Sequence, residues 1–202
     1  RFNRVAGLAL IWSVAGATLI WIVLLPADAF QLIIFLLLSV PILIYSWPHL
    51  HNCNRHGFYR FFLFESALGL IILNAPVWFR APFSFPQVIS WLLLLASIYL
   101  VAAAVILLHK VGQPEGSFED TTQLVTSGIY RFIRHPMYAS LLALGWGVFL
   151  KDISILSGAL TAVLTAAVYL TARTEEAENL AKFGQIYQDY MLKTRRFIPF
   201  LF

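Results

Sequence analysis

Val88–His109 reads VISWLLLLASIYLVAAAVILLH, 22 residues without one Asp, Glu, Lys or Arg. Crossing the roughly 30 Å hydrocarbon core of a bilayer takes about 20 mostly apolar residues at 1.5 Å each, and this stretch meets the requirement on its own. The rest of the chain carries the same bias. Its 202 residues are 60% hydrophobic and 12% charged, with a mean hydropathy of +0.78. A soluble domain has about a quarter of its residues charged, so lipid must be the solvent for most of this surface.

Five more apolar segments flank the first: Val5–Leu25, Phe30–Trp47, Phe61–Phe79, Pro136–Leu150 and Ile153–Ala172. The breaks between them carry turn chemistry, with Pro26 and Asp28, Pro48 with Asn52 and Asn54, Arg80 with Pro82 and Pro86, and Lys151-Asp152. Val5–Leu25 is too long and apolar for a signal-peptide core and is followed by no small-residue cleavage site, so it reads as a membrane helix. The segment over Pro136–Leu150 is short and reads as a tilted or partial span paired with the next one. Pro41 and Pro76 predict kinks. Trp21, Trp47, Trp78 and Trp91 fall near span ends, where interfacial aromatics belong. The expected fold class is an all-α polytopic transmembrane bundle of five to six membrane helices.

Basic residues set the expected orientation. With the N-terminus inside, 12 of the 14 Lys and Arg residues fall on the inner face, leaving Arg80 and Lys151 outside. Such a bias predicts both termini in the cytosol. The net charge of +4 and pI near 9.4 then reflect attraction to anionic headgroups and not to nucleic acid. The single cysteine, Cys53, allows no intramolecular disulfide. Outer connections are short, so the non-membrane mass gathers inside, over His49–Arg60, Lys110–His135 and the tail from Arg173. In the tail Leu180, Phe183, Tyr187, Tyr190 and Met191 repeat at helical spacing against Lys182, Gln185, Gln188 and Asp189. It reads as an amphipathic helix capping a site at membrane level. Residues 1–109 form the N-terminal, acceptor-side helices, and 110–202 hold the motifs.

Two stretches carry chemistry. In Leu124–Tyr138 (LVTSGIYRFIRHPMY), Gly128 permits a tight turn and Pro136 suits the first turn of a helix. Arg134 and His135 therefore sit at a helix N-terminus, where unpaired N–H groups, the dipole and the guanidinium favour an anion such as a cofactor carboxylate or phosphate. The plainer alternative is that both residues mark the inner membrane boundary. The second stretch, Arg173-Thr-Glu-Glu-Ala-Glu178, follows the last span. Its carboxylates face the same side and suit a cationic or polyhydroxyl ligand, although acids also gather at helix starts.

Taken together, Gly128-Ile-Tyr130, Arg134-His135-Pro136-Met-Tyr138, Glu175-Glu176, Phe183-Gly184, Tyr187, Tyr190 and Pro199 resemble the isoprenylcysteine carboxyl methyltransferase and phosphatidylethanolamine N-methyltransferase group of integral membrane methyltransferases. The resemblance covers roughly the C-terminal half and no motif of the first three spans. It implies S-adenosyl-L-methionine as cofactor, enclosed between the loop before Pro136 and the tail helix. It further implies cofactor contacts from Leu124, Val125, Tyr130, His135, Pro136 and Tyr138, with Glu175 or Glu176 on the tail side. A lipid or prenylated acceptor would approach laterally from the bilayer. In the carboxyl methyltransferases an Arg before the Glu pair is associated with the acceptor carboxylate. Here that position aligns with Thr171 or with Arg173, depending on the anchor, and the two differ by about 200° around a helix. Arg173, Glu175 and Glu176 are the candidate catalytic residues.

Other polar residues read as structural. His49, His51, Cys53 and His56 match no strong zinc spacing and no metal is expected. Glu65 lies about one turn inside a span, where it pairs with Arg60 or lines the acceptor cavity. Asn74 satisfies backbone beside Pro76, Gly145-Trp-Gly147 serves helix packing, and His109 ends a span. Two other functions compete. One is an NADPH-dependent reductase of the sterol type, which shares an Arg-His…Tyr signature. The other is a transporter or scaffold, which should show inverted repeats and mid-bilayer polar groups.

Overall fold

A computed structural model describes residues 29–53, 55–112 and 122–199. The expected span Val5–Leu25 and residues 113–121 of the loop beyond Gly112 lie outside the described residues. The remaining spans appear as helices α1 (Ala29–Ser46), α2 (His56–Asn74), α3 (Phe85–Val111), α4 (Pro136–Phe149) and α5 (Ile155–Phe183), followed by the short α6 (Gln185–Lys193). Among the described residues there is no strand, only an isolated parallel bridge between Ile133 and Arg195. Among the described residues four helices, α1, α2, α3 and α5, are long and apolar enough to cross a membrane. The chain is an all-α polytopic bundle.

Lipid as solvent explains the inverted look of its surface. Phe30, Leu37 and Ile44 on α1 and Leu92, Leu95 and Ile98 on α3 are exposed, an arrangement that water would penalise by about 25 cal/mol per Å² of apolar area. The main core is small and central: Leu63, Ala67 and Leu70 from α2, Leu94 from α3, Tyr138 and Val148 from α4, and Leu164, Ala167, Val168 and Ala172 from α5. α2 packs mainly on α5. Their opposite ends are tied by polar pairs, Asn74 Nδ2 to Ser157 Oγ at 2.9 Å and His56 to Glu178.

The short α4 is the partial span foreseen, but its main neighbour is α3 and not α5. Two features account for this. Gly147 brings α3 so close that a Cβ would lie 3.2 Å from Leu94 Cγ, and Ser90 Oγ donates to the Gly147 carbonyl at 2.7 Å. At the same end the Lys151 amine donates to Gln87 Oε1 at 3.1 Å and rests 3.4 Å from the Trp91 ring centroid. Burial pushes the Lys151 pKa down, and the aromatic face offsets part of that cost. Gly145 faces the other way, onto Leu164 of α5. The Gly-Trp-Gly triplet thus lets one helix approach two neighbours, with Trp146 left exposed between them.

Several local expectations need correction. Pro76 ends α2 instead of kinking it, because the helix stops at Asn74 and a 3-10 turn, Ala75–Val77, follows. Glu65 does not pair with Arg60: its Oε2 accepts from Ser39 Oγ of α1 at 2.7 Å, while the Arg60 guanidinium lies over the Tyr45 ring. The tail is not one helix from Arg173. α5 runs unbroken from the membrane through the acidic stretch, and Gly184, at φ +58°, turns the chain into α6. A left-handed φ is cheap only for glycine, and the carbonyl of Leu180 accepts the Gly184 N–H at 2.9 Å.

Gly145→Val should destabilise the bundle by about 1–3 kcal/mol through overpacking, since even a Cβ there meets Leu164 Cδ2 at 2.9 Å. Gly158→Ala, whose Cβ has only Phe149 Cε2 at 3.7 Å, should be neutral or stabilising by up to about 1 kcal/mol. Thermal unfolding in detergent compares the two.

Candidate functional site

The segment Leu124–Tyr138 docks on the end of α3. Val125 and Tyr130 bury against Ala104, with Leu107, Leu108, Ile129 and Met137 around them. Gly128 makes the approach possible: its φ is +58° and a Cβ would sit 2.5 Å from Leu107 Cδ1. A single 3-10 turn, Gly128–Arg131, follows, and Pro136 opens α4. The tail then returns along this segment. The N–H groups of Arg134 and His135 donate to the carbonyls of Arg195 and Arg196 at 2.8 and 3.1 Å, and the Arg195 N–H donates to Phe132 O at 3.1 Å.

The anion expected at Arg134 is part of the protein. Arg134 Nε donates to Glu176 Oε1 at 2.9 Å, and its NH1 donates to the carbonyls of Met191 and Thr194 at 3.1 and 2.6 Å. Arg196 reaches the same carboxylate from the tail, NH2 to Oε2 at 2.6 Å and Nε to Oε1 at 3.1 Å, while its guanidinium covers the Tyr169 ring. The three side chains are 8%, 25% and 5% exposed for Arg134, Arg196 and Glu176. His135 Nε2 lies 3.4 Å from Glu176 Oε1, and its Nδ1 lies 4.0 Å from Glu175 Oε2. Nε2 is buried and makes no hydrogen bond, and the ring stacks on Tyr138 at 5.5 Å.

Beside this clasp, with Arg134 common to both, is an open cleft. All seven residues expected to touch a cofactor, Leu124, Val125, Tyr130, Arg134, His135, Pro136 and Tyr138, line it, as does Glu175. Glu176 and Arg173 do not. Glu176 is turned into the clasp, and Arg173 is exposed on α5. Thr171, the other candidate for the acceptor position, is buried with its hydroxyl on the Ala167 carbonyl. Sequence reasoning assigned no role in the cleft to Leu108, Met137 or Asn179, and quoted Phe183, Tyr187 and Tyr190 only as motif members; all six line it. Asn179 and Phe183 follow Glu175 at i+4 and i+8, one helical face. That spacing was available once α5 was taken to continue past the membrane.

The far wall is aromatic and polar at once. The Tyr190 hydroxyl donates to the Tyr130 carbonyl at 2.6 Å. Burial pushes the phenols of Tyr187 and Tyr190 above their ordinary range, and the negative charges of Glu175 and Glu176 add to the effect at Tyr187. Both hydroxyls therefore stay protonated donors at neutral pH. The histidines of the α1–α2 connection are engaged elsewhere, His51 with the Trp47 carbonyl and His56 with Glu178. Among the described residues no His, Cys, Asp and Glu group is placed to hold a metal.

A helical membrane bundle with one motif-lined cleft at the end of α3, α4 and α5 defines the class. Residues 86–189, from the start of α3 into α6, match the phospholipid methyltransferase family, and the chain belongs to that family. Methanethiol S-methyltransferase of Pseudomonas deceptionensis is 26% identical over 147 residues, covering 68% of this chain and 48% of that protein. The chain thus spans about half the length of this curated relative. No solved structure matches.

Glu176→Ala removes the carboxylate that the buried Arg134 shares with the partly exposed Arg196, and breaking a buried pair costs up to about 3–5 kcal/mol. The variant should unfold at lower temperature and be cleaved between Lys193 and Pro199 under limited proteolysis that the parent protein resists.

Proposed function

We propose that this chain is an S-adenosyl-L-methionine-dependent methyltransferase whose acceptor is a lipophilic molecule reaching the cleft from the bilayer at the cytosolic leaflet. One observation carries the reading. Every residue expected to contact that cofactor converges on a single cleft, which also presents an accessible carboxylate, Glu175, 31% exposed. The donor set fits the cofactor. Glu175 and Asn179 suit hydroxyl and ammonium groups, and the tyrosine and aliphatic walls suit a nucleobase. The orientation follows from charge. Among the described residues every Lys and Arg except Arg80 and Lys151 lies toward the cleft end of the bundle, the pattern of a cytosolic face.

When bound, S-adenosyl-L-methionine supplies an electrophilic methyl group on a sulfonium, which leaves as a thioether as the acceptor lone pair forms the new bond. The chain contributes position and dryness. The Arg134–Glu176–Arg196 clasp holds the His-Pro segment and the tail in place, and the apolar residues Leu108, Val125 and Met137 exclude water from the acceptor side. Two bound reactants in line gain most of what such a transfer needs. The cleft favours a neutral nucleophile such as an amine or thiol over a carboxylate. Arg134, the cation in its lining, is already committed to Glu176 and two carbonyls, and Arg173 and Thr171 offer no charge to it. Glu175 is placed to stabilise the positive charge or accept the proton that such a nucleophile sheds. The thiol acceptor in the name of the Pseudomonas deceptionensis relative is of this kind.

Equilibrium binding of S-adenosylhomocysteine by the protein in lipid nanodiscs tests the reading. Saturable binding is expected, with none for NADPH. Glu175→Ala should weaken it about 10-fold or more, the scale of a hydrogen bond to a charged group, and His135→Ala should weaken it as well. Binding of NADPH alone would replace the proposal by the reductase reading. Transfer of labelled methyl groups to lipid extract, lipophilic amines, thiols and isoprenylcysteine analogues then identifies the acceptor, and label in the carboxylate pool alone contradicts the preference argued above.

A further inference from the structure

The acidic stretch of α5 has a third carboxylate that neither the cleft nor the clasp uses. The last α5 side chain in the main core is Ala172, so residues 173–183 project beyond the packed bundle while carrying Glu175, Asn179 and Phe183 to the cleft. At about 100° per residue, Glu175 and Asn179 share one face, Glu176 points to one side of it and Glu178 to the other. Glu178 meets α2. Its Oε2 pairs with His56 Nδ1 at 2.5 Å and its Oε1 accepts the His56 backbone N–H at 3.3 Å. His56 is the first residue of α2, and the residue in the capping position, Arg55, provides no side-chain cap. Glu178 therefore caps α2 from another helix, at the positive end of its dipole. The connection it grips is itself compact, with the His49 ring against Gly57, where a Cβ would lie 2.6 Å from His49 Cγ.

We infer that Glu178 is a positioning residue for the cleft: by capping α2 it fixes the projecting end of α5, and with it Glu175 and Asn179, in the geometry that binds the cofactor. The inference rests on the cofactor assignment above. Two ties on opposite sides, Glu176 to the tail and Glu178 to α2, remove the sway that an unsupported helix end retains. Binding to a prearranged site avoids the cost of ordering it.

The test uses the full chain in nanodiscs, with S-adenosylhomocysteine as probe. Glu178→Ala should raise its Kd about 5-fold or more, the scale of a lost helix cap. Glu178→Gln, whose amide oxygen still accepts the His56 N–H, should stay within about 2-fold of the parent for the same reason. Turnover should show a raised KM for the methyl donor with kcat at saturation changed by less than about 2-fold, the pattern of weakened ground-state binding. Should Glu178→Ala fail to fold, Glu178→Asp, one methylene short of its partner, carries the same expected rise in Kd. A lowered Tm with unchanged Kd in these variants would reduce Glu178 to a structural cap and overturn the inference alone. A parent protein that binds no S-adenosylhomocysteine overturns the cofactor assignment, and the inference with it.

Discussion

The site depends on one carboxylate. Glu176 is nearly inaccessible, and a lone buried charge would cost several kcal/mol. It is tolerated because guanidinium groups reach it from two directions, Arg134 from the segment before α4 and Arg196 from the tail. These three residues are far apart in sequence, and each belongs to a different piece of chain. Their meeting fixes where α5 stands relative to the His-Pro step, and where the tail must run to bond the N–H groups of Arg134 and His135. Without that constraint the cleft would have two of its walls free to separate. Arg134 also explains why the clasp is rigid. Its remaining hydrogen bonds go to the Met191 and Thr194 carbonyls and the Thr194 hydroxyl at the end of α6, so one side chain orders three elements.

A second consequence is a division of labour along one helix. Glu175, Glu176 and Glu178 lie within four residues, but rotation about the helix axis sends them to a cleft, a clasp and a neighbouring helix. The acidic stretch is therefore not a pooled negative surface. Of the three, only Glu175 lines the cleft; Glu176 is held by two guanidinium groups, and the partly exposed Glu178 is paired with His56. On the proposed reading, one carboxylate of the three faces the methyl donor.

The bundle was legible in the sequence because lipid imposes a simple rule, long apolar runs with few charges separated by turn residues, and α1, α2, α3 and α5 obey it. The short α4 was legible as an anomaly, and its partner was not: the choice of α3 depends on Ser90, Gln87 and Gly147 meeting, a non-local fact. The cleft-lining residues before and after Pro136 could be grouped because they are close in sequence and share a resemblance with a family. The roles of Glu176 and Arg134 could not be separated from those of Glu175 and His135, since residues adjacent in sequence look alike until a partner selects one. Arg196 was seen only as a basic residue near an apolar end. The break at Gly184 was obscured because the apolar spacing continues across it, and a left-handed turn leaves that spacing almost untouched.

On the proposed reading, a cleft at the end of a membrane bundle, walled by a loop, a projecting helix and a returning tail, would receive a water-soluble donor and a lipid-soluble acceptor from different phases. The structure of the protein with S-adenosylhomocysteine bound in a nanodisc tests this arrangement most directly. The account predicts density for the nucleoside between Leu124–Tyr138 and the Glu175–Asn179 face of α5, with the Glu176 clasp intact. Density at any other place, or a bound state in which Arg134 leaves Glu176 to hold the ligand, would contradict it.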